Sequence, residues 1–298
     1  MSPSRKRDAV DHLEGAFEVS ERRACAVLEQ PRSTQRYERK PASDEASLVT
    51  RVHELVRRHP RFGYRRIAVL LRREGFQAGF DRVYRLWRRE GLKVPTILRK
   101  KRRMGTSSHG CTRRRVCRPN EVWAWDFIFD RTTSGTSLKW LSVIDEFTRE
   151  CLCLKVARRM THGDIIEVLR GLFVAHGVPE HIRSDNGPEF IAKGLREWLE
   201  WSCVGPLYIE PGSPWENGYA ESFHSKLRDE FLGCEEFESL REATVLSAAW
   251  RRAYNEVRPH SSLGYVPPAE FARACGPSAP ASAAPQPALQ AHTLTLQP

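Results

Sequence analysis

Three carboxylates stand out in this 298-residue chain: Asp126, Asp185 and Glu221. Asp126 interrupts an aromatic-rich run, Val122-Trp123-Ala124-Trp125-Asp126-Phe127-Ile128-Phe129, where β-propensity is high and a mid-strand carboxylate needs a reason. Asp185 stands where His181-Ile182-Arg183-Ser184 stops at a tight turn, and a new helix is expected to open at Pro188. Glu221 sits on an expected helix that begins near Pro214: Ser213 is a suitable N-cap, proline loses nothing at the first helical position, and Glu216 completes a capping box. Along that helix Tyr219, Phe223, Leu227 and Phe231 make an apolar face, whereas Asn217, Glu221, Ser225 (or His224) and Arg228 fall on another, so Glu221 is aimed away from the core. Three ionised carboxylates gathered in one pocket would repel one another and raise at least one pKa. Such a cluster suits hard divalent cations better than it suits structure.

The words around these residues are specific: Trp125-Asp126-Phe127; Ser184-Asp185-Asn186-Gly187-Pro188-Glu189-Phe190; Pro211-Gly212-Ser213-Pro214-Trp215-Glu216-Asn217-Gly218-Tyr219-Ala220-Glu221-Ser222-Phe223; and Arg258-Pro259-His260-Ser261-Ser262-Leu263-Gly264-Tyr265. In this order they resemble the aspartate-aspartate-glutamate transposases and retroviral integrases, most of all the second-reading-frame protein of bacterial insertion sequences of the insertion-sequence-three type. The likeness runs from about residue 16 to 273. It implies an α/β fold with a ribonuclease-H-like integrase core, a five-stranded mixed sheet flanked by helices, preceded by a small all-α helix-turn-helix-like region. It also implies metal-dependent DNA cleavage at element ends followed by 3′-hydroxyl strand transfer, with two Mg²⁺ ions for which Mn²⁺ can substitute. On this resemblance Asp126 is the ligand shared by both ions, and Asp185 and Glu221 each complete one of them. Arg228, two helical turns past Glu221, matches a basic position that contacts terminal DNA. Asn186 and Gly187 either let the DNA backbone approach or form a plain turn. Asp145 is expected to be a turn residue rather than a fourth ligand, Lys226 a solvated side chain, and His224 a surface histidine or a group that orients water. The chemistry of Arg258-Pro259-His260 is left open, beyond an extended backbone enforced at Arg258 by the following proline.

Charge distribution points the same way. Net charge is +11, but residues 1–118 hold 31 Lys and Arg against 13 Asp and Glu, a balance of +18, and residues 119–298 hold 17 against 24, a balance of −7. A basic front half is the footprint of a phosphate-backbone binder, whereas the acidic half needs bridging cations to approach DNA. Arg65 and Arg66, on an amphipathic helix, and Arg113, Arg114 and Arg115, in a stretch without apolar periodicity, are the expected phosphate contacts. The eight cysteines form no C-x-x-C pair and no zinc module, so free thiols are expected. With no signal-peptide pattern and no apolar run long enough to span a bilayer, the expected location is the bacterial cytoplasm, on the nucleoid through DNA, with no membrane partner.

The elements that must position the carboxylates follow from periodicity. Residues 1–15 are expected to be disordered and 16–95 to be helical: Glu21 to Glu29 behind the Ser20 cap, a second short helix after Pro31, then three amphipathic helices at 44–58, 61–73 and 81–91. Residues 96–118 form a basic linker. The core, 119–276, reads as strands at 121–130, 138–144 and 151–156 in a meander, a helix at 161–176, a strand at 181–184, a helix at 189–201, a strand at 204–209, the helix of Glu221, and C-terminal helices at 240–254 and 268–274. Residues 277–298 are a Pro/Ala/Ser/Gln tail expected to be disordered. Two other readings remain: a DNA-binding regulator with an inactive core, and a nuclease acting on RNA–DNA hybrids. Proteins of the resembled type usually work as a homo-multimer on DNA and as a fusion with an upstream frame carrying the main helix-turn-helix and heptads. This chain shows no such heptads, so weak element-end binding is expected of it alone.

Overall fold

The computed structural model describes residues 1–37, 42–95, 116–184, 187, 189–208 and 218–276. The chain divides into two compact units, Met1–Glu54 and Leu55–Pro298. The first holds α1 (Pro3–Phe17), α2 (Glu21–Val27), α3 (Arg32–Gln35) and most of α4 (Glu45–Arg58). Residues 1–15 are therefore helical, not disordered. Ser2 caps α1 by accepting from the Arg5 N–H, Pro3 takes the first turn, and Val10 is buried in a small cluster with Ala24 and Cys25. As expected, Ser20 caps α2.

In the second unit α5 (Tyr64–Arg73) and α6 (Phe80–Arg89) precede the sheet. The division falls inside α4. Ion pairs explain why α5 belongs with the sheet-bearing unit: Arg61 pairs with Asp229, Arg66 with Glu230 at 3.1 Å, and Arg73 with Glu270. The sheet comprises β1 (Val122–Arg131), β2 (Ser137–Asp145), β3 (Cys151–Ala157), β4 (His181–Ser184) and β5 (Gly205–Tyr208), in the order β3-β2-β1-β4-β5. The first three strands are an antiparallel meander, and β4 runs parallel to both β1 and β5. α7 (His162–His176) opens on a complete capping box between Thr161 and Asp164. α8 (Lys193–Trp201) starts later than the sequence suggested, after a turn in which the Gly187 carbonyl accepts from Phe190 and Ile191. α9 (Gly218–Leu227) runs into a π-helical turn, Arg228–Leu232, and α10 (Leu240–Glu256) and α11 (Pro268–Ala274) close the unit. Residues 209–217, including the expected helix start near Pro214, lie outside the described residues, as do the 277–298 tail and most of the basic linker. Among the described residues no helix is long and apolar enough to cross a membrane.

Strand alternation sorts the core into two layers. Trp123, Trp125, Leu141 and Val143 face α7 and α8 with Ile165, Leu169, Leu195 and Leu199. Ile128, Leu138, Trp140 and Ile144 face the other way, against Phe223, Leu227, Phe231 and Tyr254 of α9, the π-turn and α10. Asp126 and Ser142, in register on β1 and β2, share the parity of this second layer. They are therefore carried on the face that α9 covers.

Ionic and hydrogen-bonding contacts hold the 258–265 loop inward. Arg258 is buried and donates to Glu230 through Nε at 2.6 Å, and its Nη1 lies 3.2 Å from His260 Nε2, which must be the acceptor. Burial, then Arg258, Lys226, Arg66 and Arg149, push the His260 pKa down to about 2. The unfolded chain takes up this proton near the ordinary 6.5 and the folded chain does not. As pH falls below 6.5 the unfolded state binds more protons, so stability is lost at about 1.4 kcal/mol per pH unit for such a group. Urea melts between pH 7 and pH 5 should show this loss, and His260→Asn should flatten it. An unchanged slope in the variant would contradict the buried neutral ring.

Candidate active site

Asp126 is held at the centre of the sheet by its neighbours on either side in the chain. Trp125 and Phe127, pointing to the opposite face, both stack on Phe190 at ring distances of 4.8 and 4.9 Å, and Lys139 lies over Phe127 while pairing with Glu189. That aromatic clamp fixes the strand, so the carboxylate between the two rings is presented toward α9. One of its oxygens accepts from the Phe127 N–H at 2.7 Å, and about a fifth of the side chain remains exposed.

His224 is the residue the sequence reading misplaced. It is buried, not a surface histidine, because 220, 223, 224 and 227 form the inward stripe of α9. The Ser142 hydroxyl donates to the Asp126 carbonyl at 3.1 Å, so its oxygen accepts from His224 Nε2 at 2.8 Å. His224 Nδ1 then faces Asp126 Oδ2 at 3.5 Å. That spacing would suit an ion pair if the ring were protonated, but burial, reinforced by the charge of Arg228, holds its pKa down to about 4. The ring is therefore neutral at pH 7. Asp126, a partly exposed carboxylate on the face that α9 covers, is a hard oxygen donor of the kind a divalent ion takes. The sign that could have revealed Ser142 in the sequence is a lone hydroxyl among Leu138, Trp140 and Ile144 on one face of β2.

Glu221 is exposed in the first turn of α9, three residues before His224 and so about 4.5 Å further along the axis. Arg228 is exposed as well, and its charge reaches His224. Asp185 and Asn186 lie outside the described residues; the chain enters them from Ser184, at the end of the strand parallel to β1. Gly187 is described, and its carbonyl organises the turn that leads into α8. Arg183, just upstream, is a buried cation paired with Glu146 at 2.8 Å. Asp145 is a turn residue as expected: its Oδ1 accepts from the backbones of Phe147 and Thr148 and its Oδ2 from that of Asn120.

One expected phosphate contact and one side chain expected to be solvated are both engaged within the protein. Arg66 directs its guanidinium to Glu230, and Lys226 is not simply solvated: it is half-buried, donates to Ser222, and is held down to about 8 by burial and by the charges of Arg258, Arg66 and Arg149. Arg65 is exposed, with its guanidinium 5.3 Å from the centre of the Tyr64 ring. Arg113, Arg114 and Arg115 lie outside the described residues. Among the described residues no three His, Cys, Asp or Glu side chains are grouped closely enough to hold a metal ion.

A five-stranded mixed sheet with helices on both faces, a carboxylate in the middle of its first strand, and a helical region in front define an integrase-type catalytic core. Family models for the integrase core domain match residues 117–214 and 202–268, and one for an HTH-like domain matches residues 42–102. An uncharacterized 31.7 kDa protein of insertion element IS407 from Burkholderia multivorans is 40% identical over 263 residues, covering 85% of this chain and 91% of its own. The InsD transposase of insertion element IS2 from Escherichia coli is 28% identical over 245 residues, 78% of this chain and 80% of its own. Among solved structures, a chain of the simian T-cell lymphotropic virus intasome is 19% identical, with a TM-score of 0.48 over 58% of this chain and 61% of that one. The chain belongs to the integrase-core family of insertion-element proteins, and is thus an enzyme of the transposase and polynucleotidyl transferase class.

Proposed function

We propose that this chain is the catalytic subunit that cuts DNA at the ends of an insertion element and joins the freed 3′-hydroxyl to a new phosphodiester, with Asp126, Asp185 and Glu221 as ligands of two Mg²⁺ ions. The observation that carries the reading is the hydrogen bond between Ser142, in register with Asp126, and His224 on α9, which seats the helix of Glu221 beside the strand of Asp126. Asp185 is the third member by its place in the chain: Ala124 pairs with Arg183, and Asp126 and Asp185 each follow that pair by two residues.

When bound, the two ions would activate the attacking oxygen and neutralise the leaving one. The chain's own residues supply the frame. In the first step water attacks phosphorus and the bond to the 3′-oxygen breaks, with the 3′-oxygen leaving as a hydroxyl. In the second, that hydroxyl attacks another phosphodiester, one P–O bond forming as one breaks. Neutral His224, hydrogen-bonded to Ser142, packs α9 against the strand pair that carries Asp126. Arg228 and Arg65, both exposed, contact DNA phosphates, as do Arg113, Arg114, Arg115 and the turn at Asn186 and Gly187. The α4–α6 region binds DNA in front of the core. The protein works as a homo-multimer on DNA in the bacterial cytoplasm, joined to or partnered by an upstream-frame helix-turn-helix protein.

Incubating the chain, joined to its upstream frame, with a labelled element-end duplex and Mg²⁺ should give products longer than the input strand, and EDTA should abolish them. Degradation of an RNA–DNA hybrid with no joined product would replace this reading with that of a hybrid-specific nuclease.

A further inference from the structure

We propose that a cavity of about 210 Å³ beneath α9, lined by neither Asp126 nor Glu221, is a second phosphate site that takes one backbone phosphate of the DNA strand. Arg149, Tyr219, Ser222, Lys226, His260 and Ser262 supply its polar lining. Among the described residues that line it none carries a carboxylate.

The charges are lopsided. Among the described residues four charged groups act on the half-buried Lys226, and three of them are guanidinium groups: Arg258, Arg66 and Arg149. The fourth, Glu230, already bridges Arg258 and Arg66. Cations held together away from water repel one another, and an entering anion turns that repulsion into attraction. The depressed ammonium of Lys226 is the same imbalance seen from one group, yet at about 8 it remains mostly protonated at neutral pH.

The donors suit a tetrahedral oxyanion. His260 uses Nε2 as an acceptor from Arg258, so the neutral ring keeps its N–H on Nδ1. Two serine hydroxyls and the ammonium add donors in other directions, and Arg149 is steadied by the Tyr219 ring 3.7 Å away. Ser222 follows Glu221 directly in the chain, which places the cavity on the helix that carries the catalytic glutamate. The assignment to a DNA phosphate, in preference to a free one, rests on the reading of the chain as a strand-transfer enzyme; the anion chemistry does not.

The test compares the full chain with Lys226→Gln and Lys226→Arg, in two arms. In EDTA, with a random-sequence duplex, the slope of log affinity against log salt should be shallower by about 0.9 for Lys226→Gln, one phosphate's worth, and unchanged for Lys226→Arg. With inorganic phosphate alone, wild-type melting temperature should rise above a chloride control of equal ionic strength, and Lys226→Gln should show no such rise. Without ligand Lys226→Gln should melt no lower than wild type, because a repulsion has been removed. Stabilisation by free phosphate with an unchanged slope would overturn the DNA assignment, and neither response would overturn the site. If Lys226→Gln fails to fold, the same two arms on Arg149→Gln decide. Loss of strand transfer plays no part in either arm, so failure of the catalytic reading and failure of this one are separately visible.

Discussion

Glu221→Gln should reduce strand transfer on a labelled element end by at least about 10³-fold, the rate equivalent of roughly 4 kcal/mol of lost charge stabilisation. The substitution keeps shape and removes only the negative charge. Because Glu221 is exposed and its helix is held by Phe223, Leu227 and His224, no change in melting temperature is expected. The discriminating measurement is Mn²⁺ binding followed by electron paramagnetic resonance: the variant should lose one of two ions, because Asp126 remains. Equal strand-transfer product from variant and wild type would remove Glu221 from the site. Full product loss with both ions still bound would instead mean that Glu221 acts on the DNA.

Much of the core was legible because its signals are local. β1, β2 and β3 alternate with turn residues between them, α7 carries a capping box, and each lies within a residue or two of its expected span. The two-layer sheet follows from the same alternation. What escaped was set by partners far along the chain. His224 reads as a polar residue beside Glu221; only when α9 lies on the sheet does it meet Ser142, 82 residues away. Arg66 reads as one member of a basic stripe, and nothing nearby announces that Glu230, 164 residues on, will claim it. α1 escaped for a different reason: its sequence is mostly polar, and the few contacts that hold it, the Ser2 cap and the buried Val10, lie below what periodicity detects. In each case the residue type was visible and the partner was not.

The π-helical turn carries the largest stability prediction. Glu230 lies there, 7% exposed, accepting from Arg258 on the loop that follows α10 and from Arg66 on α5. Both guanidinium groups depend on it, for Arg258 is itself 3% exposed and has only His260 as a further polar contact among those described. Removing one partner of such a buried set leaves uncompensated charge, at a cost of about 3–5 kcal/mol. Glu230→Ala should therefore lower stability by that order in urea melts. The cost belongs to the orphaned cations and not to the bridge as such, so replacing all three groups by apolar ones, as in Glu230→Leu with Arg258→Met and Arg66→Met, should recover most of it. A loss below about 1 kcal/mol for Glu230→Ala would show that water reaches the pair and that it behaves as a surface bridge. The functional consequence separates the two variants. The Arg258–Glu230–Arg66 set pins α5 and the 258–265 loop to the end of the helix that bears Glu221 and Arg228. The apolar triple variant should then fold stably and keep strand transfer if packing alone positions that helix, and fold stably but lose it if the directional hydrogen bonds do.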